Sequence, residues 1–150
     1  MPQSFACLNF HIIFSTKHRE PFIAQEWEDA LFGAIGGTLH TVRGRLLAAG
    51  GVADHVHLLV SLPRDLSVAD CVRNVKTVSS KWVHENVSNM VGFAWQVGYA
   101  AFSASFSHLE QIRGYLSIQE LKHQGMTYQD EVRAFLRAHD IEPDEAHMWD

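Results

Sequence analysis

The chain contains 150 residues, of which 47% are apolar and 19% charged, and its net charge at neutral pH is −5. This length and composition are typical of one ordinary globular domain. No apolar run approaches the roughly 20 residues that a membrane-spanning helix needs, so no membrane contact is expected. Two cysteines and an N-terminus without the features of a secretory signal predict a protein of the reducing cytoplasm.

The acidic charge is unevenly distributed along the chain. Through Gly114 there are nine Lys or Arg residues and nine Asp or Glu residues. From Tyr115 onward there are three basic and eight acidic residues, so the net charge arises entirely in this C-terminal segment. A neutral body can carry a local basic groove, although non-specific binding to DNA is then expected to be weak.

The first half of the chain predicts strands and helices in alternation. Residues 5–14 alternate apolar and polar side chains, which is typical of a half-buried strand. Residues 26–42 have apolar side chains at helical spacing, and residues 45–52 and 55–62 predict two strands paired as a hairpin with some irregularity. An S-x-x-D capping pair opens a predicted helix over residues 67–85.

The second half adds one strand and two helices. Residues 99–106 alternate again and predict a fourth strand. An S-x-x-E capping pair opens a predicted helix over residues 107–123, which Gly125 ends, and a T-x-x-D pair opens the last helix over residues 127–138.

The predicted order is β-α-β-β-α-β followed by two C-terminal helices. This order is typical of an α+β, ferredoxin-like split βαβ fold, in which an antiparallel sheet carries helices on one face. The other face of the sheet is expected to remain available for a functional site.

The most informative segment is the H-x-H pair of His55 and His57 on the strand over residues 55–62. Residues two apart on a strand share a face, so both imidazoles should project together, away from the core. Two adjacent imidazoles suit a divalent metal ion, but the same pattern also occurs as two surface histidines. This segment alone leaves both interpretations open.

A second pair lies on the helix over residues 107–123. Tyr115 and Gln119 are four residues apart and flank the apolar stripe of that helix, about 40° from each other. A tyrosine hydroxyl beside an amide oxygen is a plausible combination of nucleophile and metal ligand. The alternative is an amphipathic tyrosine next to a solvated glutamine.

The remaining histidines lack this spacing. The side chain of His11 points to the open face of the sheet, where a site would lie. We expect His11 either to support a residue of that site or to be a surface residue. Seven others are predicted to be surface residues: His18, His40, His84, His108, His123, His139 and His147.

Four motifs in order along the chain resemble the HUH-class single-tyrosine transposases of the smallest bacterial insertion sequences, a family that includes REP-associated tyrosine transposases. The resemblance covers nearly the whole chain, from the strand HIIFSTK (11–17) to the helix that ends near residue 136. The motifs are GGVADHVHLLV (50–60), KTVSSKW (76–82), WQVGYAAFS (95–103) and YLSIQ (115–119).

This resemblance implies a single HUH-type transposase domain over residues 1–140, followed by an acidic tail over residues 141–150. It implies that His55, His57 and Gln119 bind one Mg²⁺ or Mn²⁺ and that Tyr115 attacks the scissile phosphate. The expected reaction is cleavage and rejoining of single-stranded DNA through a 5′-phosphotyrosine intermediate. The expected substrates are single strands with hairpins near the element ends, and the expected assembly is a homodimer, cytoplasmic and associated with the nucleoid when bound to DNA.

For such a substrate, three basic residues on the helix over residues 67–85 are candidates for phosphate contacts: Arg73, Lys76 and Lys81. Tyr99 is a candidate for stacking on unpaired bases. A solvated helix face and a packed strand tyrosine are the alternatives.

Two other functions compete with the transposase. A non-catalytic or domesticated binder of hairpin nucleic acid would keep the fold but would need neither Tyr115 nor Gln119. A metal hydrolase of small phosphodiesters would use an activated water instead of a tyrosine, and the chain lacks a second H-x-[ST] motif of that kind.

Overall fold

A four-stranded antiparallel sheet forms the centre of the structure, a computed structural model that describes residues 3–150. The strands are β1 (Leu8–Ser15), β2 (Arg45–Val52), β3 (His55–Leu62) and β4 (Ala100–Ala104). They lie in the order β2-β3-β1-β4, and β2 and β3 form the predicted hairpin, with a bulge near its open end. The predicted α+β arrangement is confirmed.

Two helices cover the first face of the sheet: α1 (Gln25–Thr41) and α2 (Val68–Asn86). Residues two apart on a strand share a face, so the even-numbered side chains of β1 from Phe10 onward and those of β3 pack in the core formed with these helices. Full burial of each large apolar side chain contributes about 1.5–3 kcal/mol. The centre of this core consists of Ile12, Phe14, Leu31, Ile35, Val56, Leu58, Val72 and Val75.

Three further helices lie on the second face: α3 (Leu109–Ser117), the single turn α4 (Gln119–Lys122) and α5 (Tyr128–Ala138). Leu59 of β3 packs with α3, and Ile13 of β1 packs with α5. The second face, expected from the sequence to remain open for a site, is therefore covered by helices. For the same reason β1, expected to be half-buried, is buried on both sides over most of its length.

The prediction of one continuous helix over residues 107–123 is wrong, because the helix is broken at Ile118. This residue has φ −112° and ψ 19°, outside the helical region, and it separates α3 from α4. Leu116 packs against the sheet while Gln119 is only 2% exposed. Packing of both side chains against the same sheet overrides the local helical preference.

The capping pairs behave differently at the three helices. The side chains of Ser67 and Thr127 accept hydrogen bonds from the backbone N–H three residues later, as predicted. The Ser107 hydroxyl instead lies 3.0 Å from the Ser105 hydroxyl, and α3 begins one residue after His108 without a side-chain cap. A short 3-10 turn before α3 takes Ser107 out of the capping position.

The acidic segment over residues 141–150 lies against the body of the protein. Glu145 forms an ion pair with Arg133 at 2.7 Å, and the guanidinium of Arg133 lies over the ring of Trp149. The backbone oxygen of Asp150 accepts hydrogen bonds from two N–H groups of the loop before β4. Within residues 3–150, none of the helices has the length and apolar character needed to span a membrane.

Gly50 allows α3 to approach the sheet closely. It pairs with His57 across the hairpin, and a Cβ at this position would overlap the carbonyl group of Leu116 in α3. The absence of a side chain at Gly50 therefore sets how near Tyr115, the residue before Leu116, can come to β3.

We expect Gly50→Ala to lower the free energy of unfolding by about 1–3 kcal/mol, because α3 must shift to accept the methyl group. Chemical denaturation measures this change. Gly33→Ala is the matched control, since a Cβ at Gly33 in α1 meets no neighbouring atom and should raise stability by up to about 1 kcal/mol. Equal stability of Gly50→Ala and the wild-type chain would contradict the close packing of α3 on β2.

Candidate metal centre and nucleophile

The two histidines of β3 project together from the second face of the sheet, as the alternation predicts. Their ring centroids are 5.2 Å apart, and both side chains are fully buried. Val56 between them points to the opposite face and packs in the α1–α2 core. His55 and His57 are therefore directed into the space between the sheet and the C-terminal helices.

A carboxylate from α5 lies at the centre of this space. Glu131 is 1% exposed, and its Oε1 atom lies 2.9 Å from His57 Nε2 and 3.2 Å from His55 Nε2. His123, just after α4, places its Nε2 atom 2.9 Å from the same oxygen. We call these four residues, His55, His57, His123 and Glu131, the histidine–glutamate cluster.

The second oxygen of Glu131 binds the two other predicted site residues. Its Oε2 atom accepts a hydrogen bond from the Tyr115 hydroxyl and another from Gln119 Nε2 at 3.1 Å. Gln119 Oε1 lies 3.3 Å from His55 Nε2. The structure thus brings together Tyr115, His55, His57 and Gln119, the residues proposed for catalysis and metal binding.

Each imidazole of the cluster is held through its other ring nitrogen. His55 Nδ1 lies 2.7 Å from Asp54 Oδ1, and His57 Nδ1 lies 2.8 Å from His11 Nε2. His123 Nδ1 donates to the carbonyl oxygen of Met126. Such partners fix the orientation of a ring, so all three Nε2 atoms face the centre of the cluster.

Two expectations about histidines change in the structure. His11 is buried and supports His57, so the supporting position is observed rather than the surface position. The prediction that His123 is a surface residue is wrong, because its side chain is only 9% exposed and contacts Glu131. The other six histidines of that group are exposed.

Burial and hydrogen bonding oppose each other in setting the charges of the cluster. Burial lowers the pKa of a histidine, but the hydrogen bonds to Asp54 and Glu131 outweigh it and raise the pKa of His55 to about 9. At His57 burial prevails and the pKa is lowered. Burial alone would raise the pKa of Glu131, but hydrogen bonds from both histidines lower it. At neutral pH the centre therefore contains an ionised carboxylate beside a protonated His55.

The phenol of Tyr115 is in an environment that keeps its proton. Burial and, next, the hydrogen bond to Glu131 raise the pKa of Tyr115 above its usual value. The ammonium of Lys122 lies 5.2 Å from the centre of the phenol ring. The distance to Lys122 is measured to the ring and not to the oxygen. Because the pKa is raised, a nucleophilic role for Tyr115 would require positive charge close to the phenol oxygen.

The donor set fits a divalent metal ion. One ligand atom from each residue of the cluster lies within 4.8 Å of the others. Ion-to-ligand bonds of about 2.0–2.2 Å place neighbouring ligand atoms roughly 3–4 Å apart, so a small adjustment would suffice. Imidazole nitrogens favour a first-row transition ion over Mg²⁺, which prefers oxygen. Gln119 Oε1 is also within reach, beside His55 Nε2.

The candidate DNA contacts lie elsewhere. Arg73, Lys76 and Lys81 are on α2, across the sheet from the cluster. The side chains of Arg73 and Lys81 are more than 70% exposed and face Asp70 and Glu85 of the same helix. Two of these basic side chains are therefore available to a ligand on the α2 side of the sheet.

Lys76 has a different environment from its two neighbours on α2. Its ammonium donates hydrogen bonds to the carbonyl oxygens of Gln96, Val97 and Gly98, and burial lowers its pKa to about 8. Tyr99 is 41% exposed, and the Lys76 ammonium lies 5.9 Å from the centre of its ring. Lys76 thus anchors the loop before β4, and the Tyr99 ring is adjacent to it.

Openings in the surface lead toward the cluster. A groove of about 660 Å³ passes Asp54 and His123 and is lined mainly by the loops around residues 19–21, 52–54 and 123–130. A smaller opening of about 200 Å³ lies between Tyr115, Lys122, Glu131 and Phe135. The second opening reaches the phenol and the carboxylate directly.

Relatives of this chain are transposases. It matches the family model described as IS200-like transposase over residues 4–119. A stretch of 81 residues is 27% identical to the transposase for insertion sequence element IS200 of Salmonella typhimurium LT2, and equally to that of Salmonella typhi. This stretch is 54% of the chain and 53% of each relative, so the chain spans about half the length of these proteins.

Two solved structures share the fold. A provisionally named transposase from Deinococcus radiodurans R1 has a TM-score of 0.64 at 23% identity, over 79% of this chain and 98% of that one. A REP-associated tyrosine transposase bound to a REP hairpin has a TM-score of 0.60 at 15% identity, over 82% and 73%. Together with the family match over most of the chain, which includes the H-x-H pair, Tyr115 and Gln119, these findings show that the chain belongs to the IS200-like transposase family.

Proposed function

We propose that the chain is a metal-dependent transposase that cleaves and rejoins single-stranded DNA through a 5′-phosphotyrosine formed on Tyr115. The observation that carries this proposal is the convergence of the Tyr115 hydroxyl, Gln119 and the histidine–glutamate cluster on one buried point. The names of the relatives agree with it, since one of the structures of similar fold is bound to a REP hairpin.

His55, His57 and Gln119 would hold the metal ion, and His123 is a further ligand within reach. When bound, the ion would supply positive charge that offsets the charge developing on the phosphate in the transition state. Because the donors are mostly imidazoles, Mn²⁺ is the better candidate of the two ions, Mg²⁺ and Mn²⁺. Asp54 and His11 would keep His55 and His57 in the orientation that binding requires.

The reaction exchanges one phosphodiester for another. The Tyr115 oxygen forms a bond to the scissile phosphorus, and the bond from phosphorus to the 3′ oxygen breaks. The phenolic proton is lost, and the leaving 3′ oxygen gains a proton to become a 3′-OH. Since the phosphotyrosine retains the bond energy of the broken linkage, a 3′-OH can later reverse the step and join strands without ATP.

The hairpin substrate, the homodimer and the cytoplasmic, nucleoid-associated location belong to this proposal, since they follow from the family resemblance. The proposal also includes a single catalytic domain over residues 1–140. It further includes DNA contacts by four residues: Arg73, Lys76, Lys81 and Tyr99. A non-catalytic binder of hairpins is the less favoured function, because simple binding does not need Tyr115 and Gln119 to meet at one buried carboxylate.

Tyr115→Phe should abolish the covalent adduct with a labelled single-stranded oligonucleotide, because the attacking oxygen is removed. The oligonucleotide should carry the hairpin found in DNA flanking the gene, and the adduct is detected on a denaturing gel after incubation with Mn²⁺. Tyr99→Phe is the matched control and should keep the adduct, since Tyr99 lies beside Lys76 of α2 and the variant retains the aromatic ring proposed to stack on bases. An adduct that persists in Tyr115→Phe would show that another residue is the nucleophile.

His55→Ala and His57→Ala should each lower Mn²⁺-dependent cleavage by about 100-fold or more, because several kcal/mol of charge stabilisation are lost. His84→Ala provides a control, because His84 lies at the end of α2 and is exposed. Full activity of a variant lacking both β3 histidines would exclude this metal site.

His11→Phe should weaken Mn²⁺ binding by about 10–100-fold, measured by isothermal titration calorimetry. The phenyl ring retains the packing against Phe135 but offers no partner to His57 Nδ1. His40→Phe, at an exposed position of α1, should bind Mn²⁺ like the wild-type chain. Unchanged affinity of His11→Phe would mean that the His11–His57 hydrogen bond does not orient the ligand.

A further inference from the structure

Glu131 contacts the same groups that, in the proposed function, must bind and attack the scissile phosphate. One of its oxygens faces the three Nε2 atoms that would surround the ion, and the other binds the Tyr115 hydroxyl. A phosphate in position for attack would also have to place one oxygen near the ion and lie in contact with the phenol. A carboxylate and a phosphodiester both present two anionic oxygens, so they compete for the same partners.

The arrangement in the structure is closed. Three histidines and Glu131 provide four ligand atoms, which is the number that a closed tetrahedral site contains, whereas a catalytic site keeps a position open for substrate. His55, His57 and Glu131 are each at most 1% exposed. A DNA phosphate that enters through the opening beside Tyr115 therefore meets a phenol already bonded to Glu131, and it cannot reach the ion position while Glu131 remains where it is.

The element that carries Glu131 is separate from the part of the chain that defines the family. The family match ends at Gln119, and α5 follows it after the loop around Gly125. Tyr128 and Val132, each 4% exposed, pack this helix onto β1 and β4. Apolar packing thus holds the carboxylate in the centre, and its withdrawal requires a change in α5 or in the Glu131 side chain.

We propose, resting on the proposed function, that Glu131 is an intramolecular competitor of the scissile phosphate. It occupies the phosphate position in a closed state of the centre, and single-stranded DNA is placed for attack by Tyr115 only when this carboxylate is withdrawn. The apparent affinity for DNA is then reduced by the fraction of molecules that are open. With an open state of about 10% or less, removal of the carboxylate raises the affinity roughly tenfold or more.

The test measures binding of a fluorescein-labelled oligonucleotide by anisotropy in EDTA, where no cleavage occurs. The oligonucleotide is the single-stranded hairpin probe from the flanking DNA. Glu131→Ala should bind it roughly tenfold more tightly than the wild-type chain. Glu142→Ala is the matched control, because Glu142 is exposed and the same charge is lost. An affinity of Glu131→Ala no higher than that of Glu142→Ala overturns the proposal.

A second variant guards against a folding defect in Glu131→Ala, which thermal unfolding would reveal. Val132→Ala loosens the packing of α5 and leaves the carboxylate intact, so it should also tighten DNA binding. If Glu131→Ala does not fold and Val132→Ala binds no more tightly than the wild-type chain, the proposal is overturned.

Failure of this proposal is distinguishable from failure of the proposed function. If the wild-type chain forms no tyrosine adduct with Mn²⁺, the proposed function fails, and this proposal, which rests on it, fails as well. If the wild-type chain forms the adduct and Glu131→Ala gains no affinity for DNA, only the proposal that Glu131 competes with the phosphate is overturned. The same holds if Glu131→Ala keeps wild-type affinity but loses the adduct at saturating DNA, since Glu131 would then assist the chemistry.

Discussion

A single buried carboxylate connects the parts of this protein that could carry chemistry. Taking a carboxylate out of water costs several kcal/mol unless opposite charge and hydrogen bonds offset that cost. Both oxygens of Glu131 have polar partners. One lies near the Nε2 atoms of His55, His57 and His123, and the other accepts hydrogen bonds from Tyr115 and Gln119. Because these partners come from β3, from α3 and from α4 with the residue after it, one side chain connects α5 to three other segments of the chain.

The sheet makes this convergence possible. The register of β3 beside β1 pairs His57 with Ile13, so His57 and His11 are diagonal neighbours on the same face, and the hairpin places Gly50 opposite His57. The absence of a side chain at Gly50 lets α3 lie against β2, which brings Tyr115 over the imidazoles. The first face, packed by α1 and α2, supplies most of the apolar core and holds the strands in place while the second face holds the buried polar groups.

Much of this arrangement is readable in the sequence. The period of two on β3 predicts that His55 and His57 share a face, and the four-residue spacing predicts that Tyr115 and Gln119 lie near each other. The first expectation depends only on the local geometry of a strand, which β3 obeys. Tyr115 and Gln119 do meet at Glu131, although the helix between them is broken. The break at Ile118 is not predicted, since it arises from the packing of Leu116 and Gln119 against the sheet.

His123 and Glu131 are missed for a related reason. Glu131 follows a T-x-x-D capping pair, so its sequence context indicates only the first turn of a helix. His123 stands alone, and its partners are Glu131, eight residues later, and His55 of β3. The docking of α5 on the second face, a tertiary contact with no periodic signal, brings Glu131 to these histidines.

The proposed reaction depends on one cation bound beside the tyrosine. Anomalous scattering from Mn²⁺ in crystals of the full chain tests this most directly. We expect a single strong peak about 2.0–2.3 Å from the Nε2 atoms of His55 and His57, with the Tyr115 hydroxyl on the same side of the sheet. A peak bound by other residues, or no peak at saturating Mn²⁺, would contradict the account.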